Sequence, residues 1–138
     1  MRDTRVDILK KVPLFRALGK RELQKLATAG QELEFLAGSM IVQESSIGSD
    51  FYLLESGKAR VIQDDEVVRE LDAGDFFGEV AILNDSPRTA SVIAETRVWV
   101  FRIGRQAFID LLDTNGVIAR KVLIEYAKRT RPAETRTT

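Results

Sequence analysis

The chain has 138 residues, of which 44% are hydrophobic and 30% charged, and its 21 Lys and Arg balance 21 Asp and Glu. That length suits a single domain with a real core, zero net charge gives no global basic field for nucleic acid, and no apolar run is long enough to cross a membrane. Cysteine and histidine are both absent, which excludes disulfides, thiolate nucleophiles, zinc sites of the usual kind and histidine-dependent triads, so no enzyme is expected.

The first residues, MRDTRVDILKKVP, are charged and lack a long apolar centre. They do not read as a secretory signal, and the expected location is cytoplasmic. Val6, Ile8, Leu9 and Val12 predict a short helix ended near Pro13, and Gly19 to Thr28 predict a second, so residues 1–30 form an N-terminal helical segment. From Gln31 to Ile103 short apolar runs are cut by turn residues: QELEFLA, MIVQ, FYLLES, KARVIQ, EVVREL, RTASVIAE and RVWVFRI. Punctuation at Ala37-Gly38-Ser39, Ser56-Gly57, Asp64-Asp65 and Ala73-Gly74 gives the rhythm of an antiparallel sandwich or barrel. In RVWVFRI, Trp99, Phe101 and Ile103 alternate with Val98 and Val100, so both faces are apolar and one should meet a helix. Residues 31–104 are therefore read as a β-barrel. The helical period returns over 105–131, with a break expected between Asp113 and Gly116 and a tail at 132–138. The basic residues clustered near the C-terminus read as a solvated helix face.

Within the barrel, Phe77 to Val92, FGEVAILNDSPRTASV, combines the groups that a phosphorylated ribose needs. Gly78 lets the backbone approach a ligand closely, and Val80 to Leu83 can form a single helical turn. Arg88 can bind phosphate oxygens through a bidentate fork. A carboxylate beside a phosphate site is repelled by it, which leaves Glu79 suited to accept a hydrogen bond from a sugar hydroxyl. Glu79 also reads as a helix cap, Thr89 as an ordinary strand residue, and Asn84-Asp85-Ser86 as a turn.

On these residues the chain resembles the cyclic nucleotide-binding domain family, shared by catabolite-activator-type regulators, cyclic-nucleotide-dependent kinases and cyclic-nucleotide-gated channels. The likeness runs from the VPLF of Val12 to Phe15, through FYLLESGKARV, to the last helix. Its most specific part is Phe77-Gly78-Glu79-Val80-Ala81 followed by Pro87-Arg88-Thr89-Ala90-Ser91-Val92, which is similar to the family's phosphate-binding cassette at residues 77–92. The resemblance implies a mainly β fold: an antiparallel β jelly-roll barrel with N-terminal helices and two C-terminal helices.

It further implies that Arg88 pairs with the cyclic phosphate, that Glu79 takes the ribose 2′-hydroxyl, and that Gly78, Val80 and Ala81 surround the sugar-phosphate. Thr89 and Ala90 would supply a hydroxyl and backbone N–H groups near phosphate or base. Val61 and Leu71 would line the base pocket. Arg129 would make the lid contact from the last helix, with Tyr126 and Val122 as apolar alternatives. One departure from the family pattern is the loop Glu44-Ser45-Ser46-Ile47-Gly48, where serines replace the usual glycine and acid. An altered turn is expected there rather than a lost site.

The ligand expected is cyclic AMP or cyclic GMP, both admitted by Thr89, with no cofactor, catalytic residue or metal. The reading is a regulatory sensor that shifts its C-terminal helices on binding. Its partners would be an effector protein or a fused channel or effector domain, and a homodimer through the C-terminal helix is allowed. Only PAETRTT follows Arg131, so nucleic-acid binding by this chain alone is not expected. The alternative is a protein-interaction module with an inherited but silent nucleotide site.

Overall fold

A proline sets the first boundary of the fold. In the computed structural model, which describes residues 5–45, 50–84 and 87–129, helix α1 runs Arg5–Lys10 and Val12 is already extended ahead of Pro13, as the residue before a proline prefers. Pro13–Phe15 form a 3₁₀ turn, and α2 follows at Lys20–Ala29. At its start the carboxylate of Glu22 accepts the N–H of Gly19 at 3.1 Å, meeting one of the free donors of the helix end. Eight strands come next: β1 Gln31–Phe35, β2 Met40–Val42, β3 Phe51–Ser56, β4 Ala59–Gln63, β5 Glu66–Leu71, β6 Phe76–Phe77, β7 Ser91–Ala94 and β8 Val98–Ile103. Helix α3, Glu79–Asn84, lies between β6 and β7, and α4 (Arg105–Thr114) and α5 (Gly116–Arg129) end the described chain. None of these helices is long and apolar enough to cross a membrane.

The strands form two four-stranded antiparallel sheets, ordered β1-β8-β3-β6 and β2-β7-β4-β5. This is the antiparallel jelly-roll sandwich with flanking helices that the sequence predicts. Asp64 and Asp65 close the β4–β5 hairpin, both at positive φ (52° and 65°), as a two-residue turn matched to strand twist requires. The strand the sequence reading lacks is β6, whose two residues are too few to show a period.

Side-chain alternation divides the interior in two. Tyr52, Leu54, Val98 and Val100 point between the sheets and meet Ala59, Leu71, Val92 and Ala94. Phe51, Leu53, Phe101 and Ile103 point outwards and are covered by Leu9, Leu23, Leu26, Phe108, Ile118 and Val122 from the helices. The apolar character of both faces of β8 is thus explained, since one face lies inside the sandwich and the other under the helical layer. Gly30 is required at the joint between α2 and β1, because a Cβ there would come within 2.2 Å of the Phe101 ring.

Candidate functional site

A cavity of about 520 Å³ is lined by three parts of the chain. The second sheet supplies Val42, Val61, Gln63, Val68, Arg69 and Val92, the segment around α3 supplies Phe77 to Ala81 and Arg88 to Ala90, and α5 supplies Glu125 and Lys128. The volume and the mixture of an apolar wall with a few polar groups suit a small-molecule site.

Arg88 lies between α3 and β7 and is only 6% exposed. Its Nη1 donates to the carbonyl of Gly78 at 3.2 Å and its Nη2 to the carbonyl of Asp50 at 2.8 Å. The guanidinium carbon stands 5.8 Å from the ring centroid of Tyr52, which stacks on Phe77 with centroids 5.0 Å apart. Burial pushes the guanidinium below its ordinary value, while Tyr52, Asp50 and Glu79 pull the other way. Two carbonyl dipoles and a ring face fix this cation in place, and it borders a cavity. That arrangement leaves it able to bind an anion.

Gly78 shapes the same corner. Its φ is +98°, and a Cβ would lie 2.6 Å from the Asp50 carbonyl oxygen and 2.8 Å from Arg88 Nη1. The close approach anticipated for this glycine is made to the arginine and to the end of β3. Glu79 follows as the first residue of α3 and is completely buried, yet it contributes to the cavity wall. The loop before β3 is tied to the arginine through its backbone: Ser45, at φ 69°, donates its N–H to the Arg88 carbonyl at 2.8 Å. Ser46, Ile47 and Gly48 of that loop, like Asp85 and Ser86 after α3, lie outside the described residues.

The structure brings Gly78, Glu79, Val80, Ala81, Arg88, Thr89, Ala90 and Val61 to this one cavity. Leu71 is not among them. It is fully buried between the sheets and does not reach the cavity wall. The register gives the reason: Leu71 pairs with Ala59, whereas the pair that meets the cavity is Val61 with Arg69, two pairs along the β4–β5 ladder. Val122 is likewise absorbed into the core under α4 and α5, and Tyr126 is half-buried away from the lining. The side chain of Arg129 lies outside the described residues. In the positions expected of lid residues, α5 presents Glu125 and Lys128, which are 3.6 Å apart as an ion pair. Arg69, Gln63, Glu125 and Lys128 are the polar wall residues that the sequence reading lacks. Arg69 had no usable signal: a turn at Asp64-Asp65 alone would set Val68 opposite Val61, and only the register shift between Val61 and Ile62 brings Arg69 there.

Residues 32–115 match the model of the family described as the cyclic nucleotide-binding domain. The chain belongs to this family. Similar proteins include the cAMP-dependent protein kinase regulatory subunit of Aspergillus fumigatus, 42% identical over 127 residues, or 91% of this chain and 30% of that protein. The cyclic nucleotide-binding domain therefore spans about a third of the length of the curated relatives it matches. Among solved structures, the regulatory domain of Toxoplasma gondii PKA with cAMP superposes with a TM-score of 0.79 at 30% identity, covering 91% of this chain and 49% of that one. The regulatory subunit of a cAMP-independent protein kinase A from Trypanosoma brucei has a TM-score of 0.81 at 26% identity, covering 96% and 47%.

Proposed function

We propose that this domain binds a cyclic nucleotide, cyclic AMP or cyclic GMP, and acts as a non-catalytic regulatory sensor. The observation that carries the reading is Arg88: a buried guanidinium, 6% exposed, whose Nη1 and Nη2 are held by two backbone carbonyls and which lines a 520 Å³ cavity beside Glu79. Arg88 takes the cyclic phosphate, Glu79 the ribose hydroxyl, and the wall of Val61 and Val42 the base. The relatives name cyclic AMP, which makes it the first ligand to test.

Ligand contacts made fully only when α3 and α5 adopt one arrangement would favour that arrangement by their differential affinity. The output is then the position of α5, which borders the cavity through Glu125 and Lys128. Because the relatives are regulatory subunits of a kinase, a protein kinase catalytic subunit is the partner class this reading suggests, in the cytoplasm.

Thermal-shift titration with cyclic AMP, cyclic GMP and AMP tests the reading. A ligand at about 100 times its Kd stabilises a domain by about 2.7 kcal/mol, which corresponds to a rise in Tm of roughly 10 °C. A shift with a cyclic nucleotide and none with AMP is expected. Equal shifts with AMP would remove the cyclic-phosphate assignment, and no shift with any of the three would leave a silent interaction module.

A further inference from the structure

Away from the nucleotide cavity, the outer face of the first sheet holds two acids where the helical layer would otherwise be apolar. Glu32 stands on β1, and Glu55 is the extra residue of a bulge in β3, between the pairs Leu54–Val100 and Ser56–Trp99. Both line one cavity, where their carboxyl groups lie close enough that ionising Glu55 is opposed by Glu32, and a proton on Glu55 could bridge them. Oε2 of Glu55 is shut off from solvent and has no hydrogen-bond partner among the described residues. A neutral carbonyl oxygen tolerates that position far better than an ionised one.

A single guanidinium ties this pair to the N-terminal helix. Arg5 Nε lies 3.2 Å from Glu32 Oε1, while Arg5 Nη1 donates to the carbonyl oxygens of Ala27 at 2.7 Å and Gly30 at 3.1 Å. One residue of α1 thereby fastens that helix to β1 and to the end of α2. Beside the pair is a second cavity of about 560 Å³, walled by Lys11, Pro13, Trp99 and the Ala73-Gly74 turn, so water has room to follow a charge. The charged groups facing Glu55 from the elements around it are Glu32 on β1, Arg5 on α1 and Lys11 just after α1. The 3₁₀ turn, β8 and the Ala73-Gly74 turn bring none among the described residues.

We propose that Glu32 and Glu55 form a proton-operated clasp beneath the N-terminal helix: with one proton shared between them Arg5 fastens α1 to the sheet, and when that proton leaves, α1 and the 3₁₀ turn loosen. The turn also accepts a hydrogen bond from Lys121 Nζ on α5 to the Pro13 carbonyl at 3.2 Å. Loosening it removes one of the attachments of α5, the helix that walls the nucleotide cavity.

The direction follows from where the proton is held. Burial first, then the hydrogen bond to Glu32 and the repulsion of its carboxylate, push Glu55 up from 4.5 to about 8, with Arg5 pulling it down. In the fastened state Glu55 keeps its proton to about pH 8; in the released state, open to water, it ionises near the ordinary 4.5. Fastening is therefore strongest in acid, weakens as pH rises through that interval, and weakens no further above it.

Amide hydrogen exchange over α1 and the 3₁₀ turn, corrected for intrinsic exchange rates, reads this directly. In the wild type the opening constant should rise by up to about tenfold per pH unit from roughly pH 5.5 to 8 and then level off. In Glu55→Gln, where an amide donates to Glu32 permanently, it should stay flat. A carbon-detected NMR titration of the Glu55 carboxyl in the unmodified chain gives a second reading and should place its midpoint near 8. The clasp is overturned by the same slope in Glu55→Gln, by a flat wild-type profile, or by a Glu55 carboxyl that titrates in the ordinary range.

Discussion

The rings of Phe51 and Phe108 are stacked, with centroids 4.3 Å apart and planes 14° from parallel, and both are buried to within 1%. Phe51 belongs to β3 and Phe108 to α4, so this contact holds the C-terminal helical layer against the sheet. Truncating a fully buried ring typically costs about 3–5 kcal/mol. Phe108→Ala is expected to lose stability in that range in a urea titration, and a loss below about 1 kcal/mol would mean that α4 does not rest on the sheet in this way.

Gly78→Ala should damage stability and binding together. The substitution places a Cβ where φ is +98° and within 2.8 Å of both the Asp50 carbonyl and Arg88 Nη1. The left-handed backbone alone costs a non-glycine residue about 1–2 kcal/mol, and the contact forces the arginine to move. A lower Tm with an accompanying loss of cyclic nucleotide affinity is the expected calorimetric result. Wild-type affinity in a destabilised variant would show that the arginine need not keep its place.

For Arg88→Ala, removing the partner of a buried ligand charge typically costs about 2–5 kcal/mol, equivalent to about 30-fold to several thousandfold in Kd. Titration calorimetry with cyclic AMP and cyclic GMP provides the measurement. Affinities equal to those of the wild type would dismiss Arg88 as the phosphate contact.

Leu71 and Val61 stand two pairs apart on the β4–β5 ladder and should behave differently. Leu71→Ala is expected to cost about 2–5 kcal/mol of stability, as for a buried leucine, while leaving affinity at a temperature where the variant is folded within about twofold of wild type. Val61→Ala, at the cavity wall, should weaken ligand binding more than it lowers Tm. The opposite pattern would place the cavity boundary at the wrong rung of the ladder.

Much of the fold could be read from local chemistry. Pro13 ends α1, Asp64-Asp65 turns a hairpin, and the two apolar faces of VWVFRI announce a sheet covered on both sides; each is a short-range signal. The cassette was legible for the same reason, since Gly78, Glu79 and Arg88 lie within one short stretch. What the sequence left unread depends on register and on contacts across the chain. Arg69 reaches the cavity because of a shifted strand pairing, Lys128 because α5 packs against α3, and Val122 misses it because its helix turns that side to the core. The Glu32–Glu55 pair was the least visible. Its members are 23 residues apart, on strands separated by β8, and a bulge sets the second one.

Arg88 is held in its rotamer before any ligand enters, by the carbonyl oxygens of Gly78 and Asp50. A free arginine side chain carries about 2 kcal/mol of rotamer entropy, and here that disorder is given up when the protein folds rather than when it binds. An anion arriving in the cavity meets a fork already aimed, so this loss does not recur at each encounter. The carbonyls that aim it belong to the residue before β3 and to the residue before α3. A strain on either reaches the arginine as a change of angle, with the charge itself unaltered.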